Sequence, residues 1–196
     1  MNTEAVKKYI VQWLLDYAEK ANVNGFVVGV SGGVDSALTS TLCALTGKDV
    51  LLLEMPIHQA QSQVSRAHNH CQKLSKEFDN VRSEVVDLTA PFETLSQSFP
   101  TIENVAQQQL TLANTRARIR MTTLYHFAGL YGLLVAGTGN KVEDFGVGFY
   151  TKYGDGGVAV SPIADLHKTE GFQLAKSVGV SDEILTAPPT DGLFGD

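Results

Sequence analysis

The residues best suited to chemistry begin with the octet Gly29-Val30-Ser31-Gly32-Gly33-Val34-Asp35-Ser36. Paired glycines let a chain turn tightly and approach a ligand with no Cβ in the way. The octet closes the apolar run Gly25-Phe26-Val27-Val28 and opens a helical pattern. Its N–H groups therefore stand at a helix start, aimed at an anion and aided by the helix dipole. Ser31 and Ser36 add hydroxyl donors. A Walker A loop reads GxxxxGK[ST], and this octet has no Lys; nor does it read GxGxxG. The plain structural alternative is a glycine turn with Asp35 and Ser36 as helix caps. A complete octet at a strand–helix junction favours phosphate binding over that alternative.

The octet resembles the SGGxDS loop of the N-type ATP pyrophosphatases. That resemblance implies that the loop grips the pyrophosphate released when ATP adenylylates a substrate, with Asp35 holding Mg²⁺. A second segment, Gly137-Thr138-Gly139-Asn140-Lys141-Val142-Glu143-Asp144, again follows an apolar strand. Adjacent loop carboxylates are ordinarily a solvated pair, but this one falls at a neighbouring strand end. There Glu143 would complete an oxygen site for Mg²⁺ with Asp35 and the phosphates. Three more segments follow: Phe149 to Gly157, Leu166 to Glu170, and Pro188-Pro189-Thr190-Asp191. The stretch GTGNKVEDFGVGFYTKYGDGGVAVSPIADLHK is similar to the signature of NAD⁺ synthetases, which the sister families of the loop do not carry. The resemblance runs from about Tyr9 to Asp196.

The resemblance implies a carbon–nitrogen ligase. ATP would adenylylate the nicotinate carboxylate of deamido-NAD⁺, and ammonia would displace AMP to give NAD⁺. Carried onto matching positions, Gly29, Val30, Ser31, Gly32, Gly33, Val34, Asp35, Ser36, Thr138, Lys168 and Thr190 contact ATP. Asp35 and Glu143 bind Mg²⁺, and with Lys168 they form the catalytic group. Arg118, Lys152 and Asp155 hold deamido-NAD⁺, and Asp155 is a candidate for deprotonating ammonium. Arg116 and Arg120 read as a solvated helix face. The family also implies a homodimer, with the long helix that bears Arg118 at its interface. Two departures stand out. Ala159 replaces a carboxylate that often follows the GDGG glycines, and the sequence ends at Asp196 without a further His-Lys pair that touches substrate. Free ammonia is the expected nitrogen donor, because the synthetase pattern begins almost at once and Cys43 and Cys71 lie on apolar helical stretches. The alternative is an RNA-modifying enzyme with the same loop, which would call for a basic surface and often a cysteine pair.

Positioning these residues needs an ordered frame. The chain has 196 residues, 43% hydrophobic and 18% charged, which suits a single domain spanning 1–196. A net charge of −6 and a pI near 5.3 speak against a nucleic-acid partner. No run of 18 apolar residues and no secretory signal occurs, so a cytoplasmic protein without membrane contact is expected. Buried strands are expected at Gly25–Val30, Val50–Met55, about Glu84–Val86 and Leu133–Ala136. Helices are expected between them, including one capped by Thr3 with Val6, Ile10, Trp13, Leu14 and Tyr17 inward, and a long one from about Glu103 to Ala128. His68 and His126 fall on apolar helical faces, and His58 and His70 on the surface. Residues 137 to 160 read as one long loop, which usually signals function. The order β-α-β-α-β-α-β implies a three-layer α/β fold, an open and mostly parallel sheet with helices on both faces. This is a Rossmann-like, adenine nucleotide alpha hydrolase-like arrangement, with its site beyond the strands' carboxyl ends.

Overall fold

The computed structural model describes residues 1–188. Its strands are β1 (Gly25–Gly29), β2 (Asp49–Glu54), β3 (Val81–Val85) and β4 (Leu133–Val135). Its helices are α1 (Thr3–Lys20), α2 (Val34–Ala44), α3 (Gln61–Glu77), α4 (Thr89–Gln97), α5 (Val105–Tyr131), α6 (Lys168–Ser177) and α7 (Asp182–Leu185). The strands form one sheet in the order β3-β2-β1-β4, and every pair is parallel. Phe26 stands opposite Val50 on one side and Leu134 on the other.

Strands this apolar require cover on both faces. Side-chain alternation divides them. Phe26, Val28, Val50 and Leu52 pack with Leu14, Leu38, Leu42, Leu74 and Leu174 from α1, α2, α3 and α6. Val27, Leu51, Leu53 and Val135 pack with Phe92, Met121 and Leu124 from α4 and α5. The expected three layers are therefore present, with a core on each side of the sheet. Truncating one of the fully buried leucines to Ala would cost about 2–5 kcal/mol. Gly132 ends α5 in the left-handed region at φ 66°, and its N–H bonds to the Ala128 carbonyl. Glycine takes that conformation without a Cβ penalty, so the chain turns directly into β4.

The chain runs β1 to β2 to β3 in one direction, then returns so that β4 lies on the other side of β1. Connections leaving the carboxyl ends of β1 and β4 diverge there and open a crevice. The octet follows β1, and the segment from Gly137 follows β4.

Several local expectations differ from the structure. Asn2, not Thr3, caps α1, its side chain accepting from Ala5 N–H at 3.1 Å. The buried stripe of α1 is Ile10, Leu14 and Ala18; Trp13 and Tyr17 lie outside it, against one another. Helix α1 packs mainly on α2 and α6, so a stripe at spacing four suffices. In α3 the buried stripe is Gln63, Ala67, His70, Cys71 and Leu74. That rotation exposes His68 and buries His70, the reverse of the expectation. His70 Nε2 pairs with Ser40 Oγ at 2.8 Å, and burial, with Lys73 adding, pushes its pKa down to about 4. His126 is exposed, because α5 buries Ala113, Ala117, Met121, Leu124 and Ala128 instead. The segment after β4 is more ordered than a loop. It holds a π-helical stretch, Val142–Val147, and Ala136 bridges Val160 in parallel. Such π-helical stretches are frequent at functional sites.

Candidate active site

The octet forms a closed turn between β1 and α2. Gly32 has φ +84°, and a Cβ there would meet the Gln63 carbonyl oxygen at 2.6 Å, so both its conformation and its packing demand glycine. Ser36 Oγ donates to the Gly33 carbonyl at 3.0 Å and accepts from Ser31 N–H at 3.2 Å. Ser31 Oγ accepts from Gly33 N–H at 3.3 Å. Gly33 is the N-cap of α2 and provides no side-chain cap. The first N–H groups of a helix have no partner within it, so those of α2 are directed at the crevice. Val30 and Val34 are buried and anchor the turn in the core. Asp35, in the first turn of α2, places its charge where the helix dipole favours an anion.

Two segments distant in sequence converge on Asp35. Lys168 Nζ is 2.5 Å from Asp35 Oδ2 and 2.9 Å from Glu143 Oε1. Lys168 is the first residue of α6, and Glu170 Oε2 accepts from His167 N–H at 2.9 Å to fix that helix start. A cation at a helix N-terminus opposes the dipole, so the two carboxylates, not the helix, account for its place. Glu143 lies in the π-helical stretch.

Asn140 is the residue in this group that the sequence reading passed over. It is 2% exposed. Its Oδ1 accepts from Val142 and Glu143 N–H at 3.1 and 3.2 Å, and its Nδ2 donates to Asp35 Oδ2 at 3.5 Å. It thus sets the turn that aims Glu143 and holds Asp35 at once. The available signal was its position in GTGN directly after a buried strand. Thr138 stands at the same strand exit, half-buried.

The charges in this cluster do not balance. Burial raises the pKa of Asp35, more than its bonds to Lys168 and Asn140 lower it, and the Glu143 charge adds to the rise. Burial also raises Asp144, reinforced by the charges of Asp155, Glu143 and Asp35. Lys168 is depressed by burial, but Asp35 and Glu143 outweigh that and raise it overall. Burial is the main cause for the two aspartates, and the neighbouring carboxylates add to it; for Lys168 the carboxylates decide the direction.

The other candidates form a second group, where residues 151 to 157 rest on α5. Arg118 Nε donates to the Lys152 carbonyl at 3.1 Å. Asn114 Oδ1 accepts from Thr151 Oγ1 at 2.7 Å, and Tyr125 donates to the Gly157 carbonyl at 2.8 Å. Asp155 Oδ1 accepts from Thr151 N–H at 3.0 Å and closes the loop on itself. The Lys152 ammonium lies over the Tyr153 ring at 5.3 Å. This group reaches the Lys168 cluster by the charge of Asp155 acting on Asp144, and just before it Phe149 N–H donates to the Glu143 carbonyl at 2.8 Å. Arg116 and Arg120 are not a solvated face. Arg116 stacks on Phe92, and Arg120 Nε donates to the Met55 carbonyl at 3.0 Å from a half-buried position. Thr190 lies outside the described residues.

A crevice at the switch point of a parallel sheet, floored by an anion-binding turn of this form, defines a nucleotide-binding α/β protein of the PP-loop type. Within that class, the chain belongs to the NAD synthase family, whose model matches residues 6–196. It is 37% identical over 196 residues to the NH3-dependent NAD⁺ synthetase of Methanosarcina acetivorans, covering 99% of this chain and 74% of that one. Among solved structures it is similar to an NMN synthetase from Francisella tularensis, at 30% identity and a TM-score of 0.88, covering 99% of this chain and 78% of that one. It is also similar to the NH3-dependent NAD synthetase of Campylobacter jejuni, at 30% identity and a TM-score of 0.83, covering 94% and 77%. No described helix is long and apolar enough to cross a membrane.

Proposed function

We propose that this chain is an ammonia-dependent NAD⁺ synthetase that joins ammonia to the nicotinate carboxyl of deamido-NAD⁺ at the expense of ATP. The observation that carries the reading is the meeting of Asp35, Glu143 and Lys168 beside the anion turn, in a chain of this family. A carboxylate does not react usefully with ammonia, because its oxygen is a poor leaving group. In the first step a nicotinate oxygen attacks the α-phosphorus of ATP. The bond to the β-phosphate oxygen breaks, and pyrophosphate leaves. In the second step ammonia attacks the acyl carbon, a proton is lost, and the carbon–oxygen bond breaks to release AMP. Both steps develop charge on phosphate oxygens, so the protein's contribution is positioning and electrostatics. The turn's N–H groups receive the pyrophosphate, and Lys168 offsets charge on the phosphates. The Thr151–Gly157 loop and Arg118 orient the nicotinate end.

The carboxylates fit a Mg²⁺ ion. Asp35 and Glu143 already share one cationic group, and their surroundings carry surplus negative charge. Among the described residues no set of three or more His, Cys, Asp and Glu is arranged around a metal. Two carboxylates with phosphate oxygens and water are how Mg²⁺ is ordinarily held. When bound, Mg²⁺ supplies charge neutralisation and orientation of the phosphates.

The assembly we assign is a homodimer, with α5 at its interface. Exposed Val105, Leu110, Tyr125 and Leu130 on that helix support it. A monomer mass in solution with full activity would overturn it. The likeness to an NMN synthetase favours one second reading, a mononucleotide acceptor. Pyrophosphate release measured with ATP, ammonium and either acceptor tests both. Release with deamido-NAD⁺ at higher kcat/KM supports the first reading. Preference for nicotinate mononucleotide supports the second, and release with neither removes both.

A further inference from the structure

Glu54 ends β2 and is only 5% exposed. Burying a carboxylate is costly unless it meets donors. His68 Nδ1 lies 3.2 Å from Glu54 Oε1 on a side chain that is itself half exposed, and the Cys71 thiol is beside the same carboxylate. Strand alternation sends Glu54 to the face of the sheet that α3 covers, with Val50 and Leu52. There it lines a cleft with Val30, Ser31, Gln63, Val64 and Ala67, immediately beside the anion turn. Glu54 is the one charged residue among those lining the cleft. An acid next to a phosphate site is unfavourable unless the ligand also brings donors.

Position identifies those donors. β2 pairs directly with β1, with Leu53 opposite Gly29 at the mouth of the turn. In dinucleotide-binding α/β folds, whose glycine turn differs from this one, an acid roughly 20 residues after the turn accepts from a ribose hydroxyl. Glu54 stands at a like spacing, at the end of the strand paired with β1. We infer that Glu54 accepts hydrogen bonds from the ribose hydroxyls of ATP and selects a ribonucleotide over its deoxy counterpart. His68 clamps the carboxylate from the side of α3, so that its orientation is set before the nucleotide arrives.

The inference rests on the reading of the chain as ATP-dependent, and the experiment separates the two. Calorimetric titration without acceptor gives the Kd of the purified wild type and of Glu54→Gln for ATP, 2′-deoxy-ATP, 3′-deoxy-ATP and GTP. The wild type binds ATP about 10–100-fold more tightly than at least one deoxy analogue, as expected for bonds to a charged acceptor. Glu54→Gln binds ATP at nearly the deoxy level, with discrimination reduced to a few-fold. Glu54→Asp, which retracts the carboxylate, gives an intermediate ratio and serves if the Gln variant does not fold. ATP binding by the wild type without ribose discrimination, or a ratio retained in the folded variants, overturns the inference while leaving ATP dependence intact. A variant that keeps the ribose ratio but loses preference for ATP over GTP also overturns it, by assigning Glu54 to the base. Absence of ATP binding by the wild type removes the underlying reading itself.

Discussion

Lys168 Nζ lies 2.5 Å from Asp35 Oδ2, although 133 residues separate the two in the chain. The contact joins the start of α6 to the start of α2, and Glu143 completes it at 2.9 Å from the same ammonium. Neither helix start calls for the other locally. The parallel sheet brings them together at its switch point. Asp35→Ala and Glu143→Ala should each lower the rate about 10²–10³-fold, the loss typical of one electrostatic group in such a site. Circular dichroism should show the fold retained. Turnover near wild type in either variant at saturating Mg²⁺ would contradict a shared site.

Burial of the Asp35 carboxylate comes at some cost to the fold. Its folded pKa is raised above the ordinary 3.8, chiefly by burial. A group raised in this way contributes stability that is fully present below the unfolded pKa and lost as pH rises through the folded pKa. At neutral pH its ionised form therefore weakens the native state. Asp35→Asn should abolish turnover yet leave Tm at pH 7 unchanged or higher, and any gain should shrink as pH falls below about 4. A marked drop in Tm at pH 7 would contradict this account.

Most of the frame was legible in the sequence. Four apolar runs between helical patterns define a parallel sheet, because strands like Phe26-Val27-Val28 have no polar face to show to water. The octet was legible for a similar reason: its glycines make sense only where the backbone must turn and approach something. What was not legible depended on helix rotation. A shift of the α3 stripe exchanges His68 for His70 in the core, and both patterns have acceptable spacing. Asn140 was missed because an amide that caps a turn looks like any loop Asn until Glu143 is seen to hang from it. Arg120 was misread because the Met55 carbonyl that receives it belongs to the end of another element, beyond the reach of helical periodicity.

Asn114 provides a test of the second group. Its Oδ1 holds Thr151, the residue whose N–H also binds Asp155. Asn114→Ala should free the loop from α5 and raise KM for the acceptor about 3–10-fold, the worth of one ordinary net hydrogen bond. KM for ATP should remain within about twofold, because the anion turn is held by Ser31, Ser36 and Gly33 instead. Initial-rate kinetics with each substrate varied in turn would check it. A rise in both KM values would mean that the two groups act as one.

Ala159 is half-buried, and its N–H is spent on the Val135 carbonyl at 3.0 Å. The backbone is thus fixed while the side chain offers the acceptor nothing polar. Ala159→Asp should tighten acceptor binding by about 0.5–1.5 kcal/mol, measured as Kd by titration. Unchanged or weaker binding would show that another group has taken over the contact.

The nitrogen donor should be free ammonia. Drawing nitrogen from glutamine requires a nucleophilic thiol in a site that lowers its pKa. The chain has two cysteines, and both are buried. Cys43 sits inside α2 with no exposure, and burial pushes its thiol well above the ordinary range. Cys71 is buried on α3, and there the Glu54 carboxylate adds to the rise. A negative neighbour is the opposite of what a reactive thiolate needs. Ammonia is a small neutral molecule and asks only for access to the acyl carbon. Assays of the purified chain with ammonium or glutamine as sole donor should give turnover with ammonium and less than about a hundredth of it with glutamine, in line with the 10²–10⁴-fold worth of a positioned catalytic group. Cys43→Ser and Cys71→Ser should leave the ammonium rate within a few-fold, corrected for any loss of folded protein. Glutamine-driven turnover comparable to that with ammonium, in a preparation free of glutaminase, would show that this chain carries a second site that its thiols do not explain.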